Sequence, residues 1–223
     1  MRKRPVITVD GPSGAGKSTM AKALASALGY EYMDTGAMYR AVAYAYSRER
    51  GKPDLEPFLE GLALRFVFGE VTQVFLHGED ISHKIRTAEI SLLASGLSQD
   101  PRVRRYLTAM QREYGQHGGV VLEGRDTGSV VFPDAEVKFY LDADVEERAR
   151  RRCFELRAEL SGQAAEKDLE QVKKEIEKRD KDDSEREIAP LIRPQGAYYV
   201  DTTHLDIDGV VQALRQHVER FLK

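Results

Sequence analysis

Short apolar strands alternating with amphipathic helices predict an α/β fold, a three-layer α/β/α arrangement with a five-stranded parallel sheet between two helical layers. Three observations carry the prediction. Residues 6–9, Val-Ile-Thr-Val, form a short β-branched run suited to a buried parallel strand, and it stops at the turn signal Asp10-Gly11-Pro12. Comparable runs recur at 30–33, 120–122, 137–141 and 198–200. Stretches between them place apolar residues three and four apart, as a helix covering a sheet face requires.

The elements follow in order. A helix over Lys17–Leu28, closed by Gly29, succeeds the first strand; another through Met38, Val42 and Ala45 succeeds the second and stops near Gly51. Residues 62–81 break the alternation and read as a hairpin-like insert, with Leu64, Phe66 and Phe68 along one face, Val74 and Leu76 on the next strand, and Gly69 and Gly78 at the turns. Asp100-Pro101 is an N-cap and N1 pair opening a helix toward Tyr114. The last helix carries Ile207, Val210, Val211, Leu214 and Val218 behind Asp206 as candidate cap.

Composition narrows the function classes. At 223 residues the chain fits one α/β domain with insertions. Its 34 basic and 37 acidic side chains leave a formal charge of −3, which provides no bulk positive field for a nucleic-acid polymer. No stretch reaches the roughly 18 apolar residues of a membrane helix, and the apolar character after Met1-Arg2-Lys3-Arg4-Pro5 is too short for a secretion signal, so the expected location is the cytoplasm. Cys153 is alone, which excludes an intrachain disulfide and disfavours a cysteine zinc site; packing is its expected role. Nothing in the sequence demands more than a monomer.

The turn after the first strand carries the strongest chemical signal. Gly11, Pro12, Ser13, Gly14, Ala15, Gly16, Lys17 and Ser18 match the P-loop pattern, with Thr19 following. Small residues let backbone N–H groups turn inward around a phosphate chain, the helix aims its positive end there, and Lys17 adds an ammonium for the β and γ phosphates. Ser18 is placed to meet Mg²⁺. A glycine-rich turn of purely structural use is the alternative, and the strand before and helix after favour the ATP site.

Three further constellations address the acceptor. Asp34-Thr35-Gly36-Ala37-Met38-Tyr39-Arg40 lies at a strand end beside the P-loop, with Tyr39 suited to stack on a ring and Arg40 to grip a phosphate; equally, Asp34 or Thr35 caps the helix while Tyr39 packs and Arg40 is solvated. Glu123, ending the 120–122 strand, can orient Mg²⁺ through water, and Arg125 with Asp126 is either a site or a surface ion pair. The third lies in a charged segment, 145–187, that holds 26 charged side chains. There, Leu169, Val172, Ile176, Arg179, Asp183 and Arg186 fall within roughly a 100° arc of one helix, so the last three should point inward like the apolar residues before them. Ala149, Cys153, Leu156 and Leu160 mark a second helix rich in arginine, Arg148 and Arg152 included, and Ser161-Gly162-Gln163 joins the two as a flexible tip, an arrangement suited to a mobile lid.

At these residues, and through Gly128 and Val130-Val131-Phe132-Pro133, the chain resembles the bacterial cytidylate kinases of the nucleoside monophosphate kinase family over nearly its whole length. The resemblance implies a single P-loop kinase domain transferring the ATP γ-phosphoryl group to CMP or dCMP with Mg²⁺, an acceptor region of about 35–117 containing a β insert of about 62–86, and a lid of about 148–170. It places Thr35, Tyr39, Ser95, Arg104, Arg125, Asp126, Arg179, Asp183 and Arg186 at acceptor-contacting positions. Two departures stand out: Glu123 replaces a frequent Asp, and Thr127 and Ser129 flank Gly128. Histidines 77, 83, 117, 204 and 217 lie outside every motif, which suits an acceptor phosphate, already ionised, better than a hydroxyl needing a base. Kinases of UMP, shikimate or a coenzyme precursor are the nearest alternatives, and a nucleotide-dependent switch or RNA-binding ATPase is a rival of another class.

Overall fold

A computed structural model describes residues 4–69, 71–159, 168–205 and 207–221, with backbone alone over 157–159. Leu160, the 161–163 tip and the Asp206 cap lie outside the described residues.

Five parallel strands form the central sheet: β1 (Val6–Asp10), β2 (Glu31–Asp34), β6 (Val120–Gly124), β7 (Val137–Asp142) and β8 (Tyr198–Asp201), in the order β2-β6-β1-β7-β8. Strand β1 is central, pairing Val6 with Val120 on one side and Ile7 with Val137 on the other. Because the chain leaves β1 for β2 on one flank and later reaches β7 and β8 on the other, loops at the carboxyl ends of β1, β6 and β7 converge where the winding reverses.

Alternation assigns each strand face. Ile7, Val9, Val121, Phe139 and Leu141 pack under helices α1 (Lys17–Leu28) and α8 (Ile207–Phe221). Val6, Val120 and Leu122 point the other way, toward α2 (Thr35–Ser47) and α5 (Pro101–Gly115). The same parity turns Asp10 to the α5 side and Glu123 to the α1 side, so one buried carboxylate emerges on each face.

The insert forms as its pattern predicts: β3 (Leu64–Val67), β4 (Gln73–Leu76) and the two-residue β5 (Glu79–Asp80) make an antiparallel sheet with Leu64 opposite Leu76 and Phe66 opposite Val74. Phe66 and Phe68 pack edge-on against Tyr114 of α5, which fastens the insert to the main body. Asp100 caps α5 by accepting from Arg102 N–H at 2.8 Å, with Pro101 opening the helix.

Two helices, α3 (Leu55–Glu60) and α4 (Ala88–Leu97), lie outside the sequence prediction. The first has six residues including Pro57, too few to show a period, and the second has a mixed pattern with Gly96 near its end. Helices α6 (Val145–Glu159) and α7 (Leu169–Glu185) pack through Ala149, Val172 and Ile176, with Cys153 and Leu156 against them. Among the described residues no helix is long and apolar enough to cross a membrane.

Candidate active site

The loop between β1 and α1 begins at Gly11, whose φ of 147° and surroundings admit no side chain: a Cβ there would stand 1.9 Å from the Leu141 carbonyl oxygen. At its far end Gly16, at φ 81°, caps α1 without any side-chain hydrogen bond. The first-turn N–H groups of α1 are therefore left for an anion. Lys17 is buried, and its Nζ donates to the Pro12 carbonyl at 2.5 Å. Burial, then the guanidinium of Arg125, pulls this ammonium down to about 7; Arg179 adds to the pull, while Glu123 and Asp180 oppose it. An ammonium so depressed gains charge when polyphosphate arrives.

Glu123 joins the two edges of this loop. Its Oε1 accepts from Ser18 Oγ and from the Tyr32 hydroxyl, both at 2.6 Å, while its carbonyl accepts from Thr35 Oγ1 at 2.6 Å. Glutamate's extra methylene is what lets the carboxylate span from β6 to both α1 and β2. Thr19 follows Ser18 on the exposed first turn of α1.

On the α2 side, arginines outnumber carboxylates. Asp34 does two jobs left open by the sequence: its Oδ1 caps α2 at the Ala37 N–H (2.8 Å), and its Oδ2 pairs with Arg40 (3.0 Å). Arg104 pairs with Asp126 at 2.6 Å and lies 5.6 Å from the Tyr39 ring. Burial, reinforced by the Asp126 charge, pushes the Tyr39 hydroxyl up to about 12. Arg125 and Asp126 do not pair with each other: Arg125 meets Asp183 at 2.9 Å, and Asp126 takes Arg104 together with Arg186 at 3.6 Å. The inward arc of α7 is thus real for Asp183; Arg186, also buried, lies one residue past the helix as its C-cap in an extended conformation, because the helix stops at Glu185. Arg179 on the same arc stays accessible to solvent and makes no hydrogen bond or ion pair with the described residues, yet neighbouring protein and then Arg125 hold its guanidinium down at about 10. Two buried guanidinium nitrogens, Arg40 Nε and Arg186 Nη2, have no hydrogen-bond partner among the described residues, Nη2 standing 3.6 Å from Asp126 across the ion pair. Ser95 lies half-buried on α4, its carbonyl capped by Ser98 Oγ.

The two arginines expected in a lid, Arg148 and Arg152, differ in kind. Arg148 is buried and fully engaged by protein, donating to Ala143 O and Ser13 O at 2.9 Å each and pairing with Asp180. Arg152 ion-pairs with Glu155 on its own helix at 3.0 Å.

One residue that sequence reasoning passed over supports this site from beneath. Asp10 is wholly buried; it accepts from Thr127 N (2.9 Å), Thr127 Oγ1 (2.8 Å) and Gly128 N (2.7 Å), anchoring a π-helical turn at Thr127–Val131 directly after Asp126. Its only sequence signal was a charged residue closing an apolar strand. Burial raises its carboxyl to about 6 although those hydrogen bonds resist the rise. A folded-state value above the unfolded 3.8 means that the folded protein holds the proton more tightly, so this contribution to stability is present below about pH 4 and lost as pH rises through about 6. The unfolding free energy of wild type relative to Asp10→Asn should accordingly fall by about 2–3 kcal/mol between pH 4 and pH 7. Urea titrations across that range check it; a constant difference would contradict the burial argument.

A P-loop at the carboxyl edge of a parallel sheet, with a buried lysine and a cluster of arginines beside it, defines the P-loop kinase class. The family model for cytidylate kinase matches residues 7–220. The chain is 48% identical to a cytidylate kinase of Syntrophotalea carbinolica, across 98% of this chain and 93% of that one, and 48% identical to one of Citrifermentans bemidjiense, across 97% and 94%. A shikimate kinase structure from Bacteroides thetaiotaomicron shares the fold, with a TM-score of 0.50 at 17% identity, covering 96% of this chain and 98% of that one. The chain belongs to the cytidylate kinase family and is a nucleoside monophosphate kinase.

Proposed function

We propose that the protein transfers the γ-phosphoryl group of ATP to CMP or dCMP, giving CDP or dCDP and ADP, as a step in pyrimidine nucleotide metabolism. One observation carries the acceptor half of this reading: among the described residues Arg40, Arg104, Arg125, Arg179 and Arg186 gather around Asp34, Asp126 and Asp183, Asp180 beside them being taken by Arg148, and Arg40 Nε and Arg186 Nη2 have no hydrogen-bond partner. Such a surplus calls for a compact dianion.

In this reading the residues from Gly11 to Thr19 cradle the ATP phosphates, with Lys17 leaving the Pro12 carbonyl for the β and γ oxygens. Region 35–117 receives the acceptor, Tyr39 offers its ring to the base, and Thr35, Ser95 and Asp183 line the pocket. Arg125 and Arg179 lie between the acceptor phosphate and the γ-phosphoryl group, while Asp126 holds Arg104 and Arg186 in place. An ionised phosphate oxygen needs no general base, so positioning and charge neutralisation are what these side chains supply. The lid of about 148–170, whose residues 160–167 lie outside the described residues, brings its arginines to the donor.

Ser18 Oγ and the Glu123 carboxylate, 2.6 Å apart beside the loop, fit Mg²⁺, which takes one or two protein ligands and otherwise phosphate and water. When bound, it neutralises charge between the β and γ phosphates.

Steady-state ADP release across CMP, dCMP, UMP, AMP and shikimate tests the assignment. CMP and dCMP should give kcat/KM at least about tenfold above the others, the scale on which site polar groups left unpaired discriminate. Preference for UMP, AMP or shikimate overturns the acceptor. Unstimulated ATP hydrolysis with no acceptor effect overturns the transferase reading in favour of a nucleotide switch.

A further inference from the structure

The structure assigns to Asp180 a positioning role: it fixes the Pro12–Ser13 peptide of the donor loop, and through that peptide the resting place of Lys17. This rests on the phosphoryl-transfer reading only in taking the loop as the ATP site.

Asp180 lies on α7, where its Oδ1 accepts from the Ser13 N–H at 2.9 Å and its Oδ2 pairs with Arg148. The same Arg148 guanidinium donates to the Ser13 carbonyl at 2.9 Å, so one ion pair grips both backbone groups of a single loop residue. Its two side chains are only 10% and 18% exposed, which shields the pair from the screening that weakens surface bridges.

The peptide between Pro12 and Ser13 is planar, so its N–H and C=O swing together in opposite directions. With the N–H held by Asp180, the carbonyl is held where Lys17 Nζ meets it at 2.5 Å. A rotation of that peptide would carry the lysine's anchor away and swing the carbonyl toward the Asp180 carboxylate, which repels it.

The position of Asp180 along the chain adds a second consequence. Arg179 precedes it, and Asp183, which pairs with Arg125, follows one turn later. A single helix therefore touches the donor loop and the acceptor arginines from adjacent positions, by separate side chains.

The test compares full-length wild type, Asp180→Ala and Asp180→Asn by calorimetric binding of a non-hydrolysable ATP analogue without acceptor, CMP binding without donor, and steady-state kinetics. Losing a charge-assisted hydrogen bond should weaken the analogue about tenfold in Asp180→Ala, raise KM for ATP by a similar factor, and leave CMP affinity within about twofold. Asp180→Asn keeps an oxygen facing the Ser13 N–H but turns its amide N–H groups toward Arg148, and should recover part of the analogue affinity, between wild type and Asp180→Ala. If Asp180→Ala does not fold, Asp180→Glu, whose carboxylate is displaced by one methylene, should show the same selective weakening. Analogue affinity equal to wild type, or equal losses of analogue and CMP, overturns the assignment. Absence of CMP binding in the wild type would instead overturn the acceptor reading and leave the donor-loop comparison standing.

Discussion

Arg179→Met is expected to lower kcat by roughly two to three orders of magnitude while the protein folds with near-wild-type stability. The side chain is solvent-accessible and has no hydrogen bond or ion pair among the described residues, so truncating its charge strands no partner. Its neighbours Arg125 and Arg40 repel it, Asp183 and Asp180 offset part of that repulsion, and negative charge gathering between the arginines relieves the rest. The interaction therefore strengthens along the reaction, which is the condition for raising kcat rather than lowering KM alone. Methionine keeps the length and the helix propensity. Thermal unfolding together with kcat and KM for CMP checks both halves; near-wild-type turnover would remove Arg179 from the reaction centre.

Asp126→Ala is expected to destabilise the folded protein by about 3–5 kcal/mol, because it leaves two buried guanidiniums facing each other without their shared anion. Arg104 is 6% exposed and Arg186 4% exposed, and neither has room to move into water. Burial followed by the charge of Arg104 already holds the Arg186 guanidinium below its ordinary value, with Asp126 opposing that depression. Arg104 keeps its bond to Ser98 O and Arg186 keeps those to Ala189 O and Asp183, which limits the loss. Urea unfolding with and without CMP separates charge from packing. An anionic ligand should restore a larger share of stability to the variant than it adds to wild type; equal stabilisation of both would mean that Asp126 does not balance these arginines.

Much of this site is legible in the sequence because local rules wrote it. The P-loop glycines answer to backbone geometry, and the inward set on α7 answers to a helical arc continuous with Val172 and Ile176. What spacing does not reveal is partnership. Arg148 and Arg152 look alike in an arginine-rich stretch, yet one is buried over Ser13 and the other pairs along its own helix. Asp10 and Asp180 are each tied to segments more than a hundred residues away, to Thr127 and Ser13 respectively, and nothing nearby in sequence marks either. Helices α3 and α4 went unread for a different reason: they are short and owe their form to packing against α2 and α5.

Helix α7 also sets a rule about chain length. Val172 and Ile176 seat it against Ala149, and everything after them reaches its target by rotation about that seat. One residue inserted between Ile176 and Arg179 would turn the following side chains by about 100°, sending Asp180 off the donor loop and Arg186 off Asp126 in a single step. The same insertion ahead of Leu169 would leave every one of those angles unchanged. The geometry thus depends on a fixed count of residues from 176 to 186, and not on their composition alone.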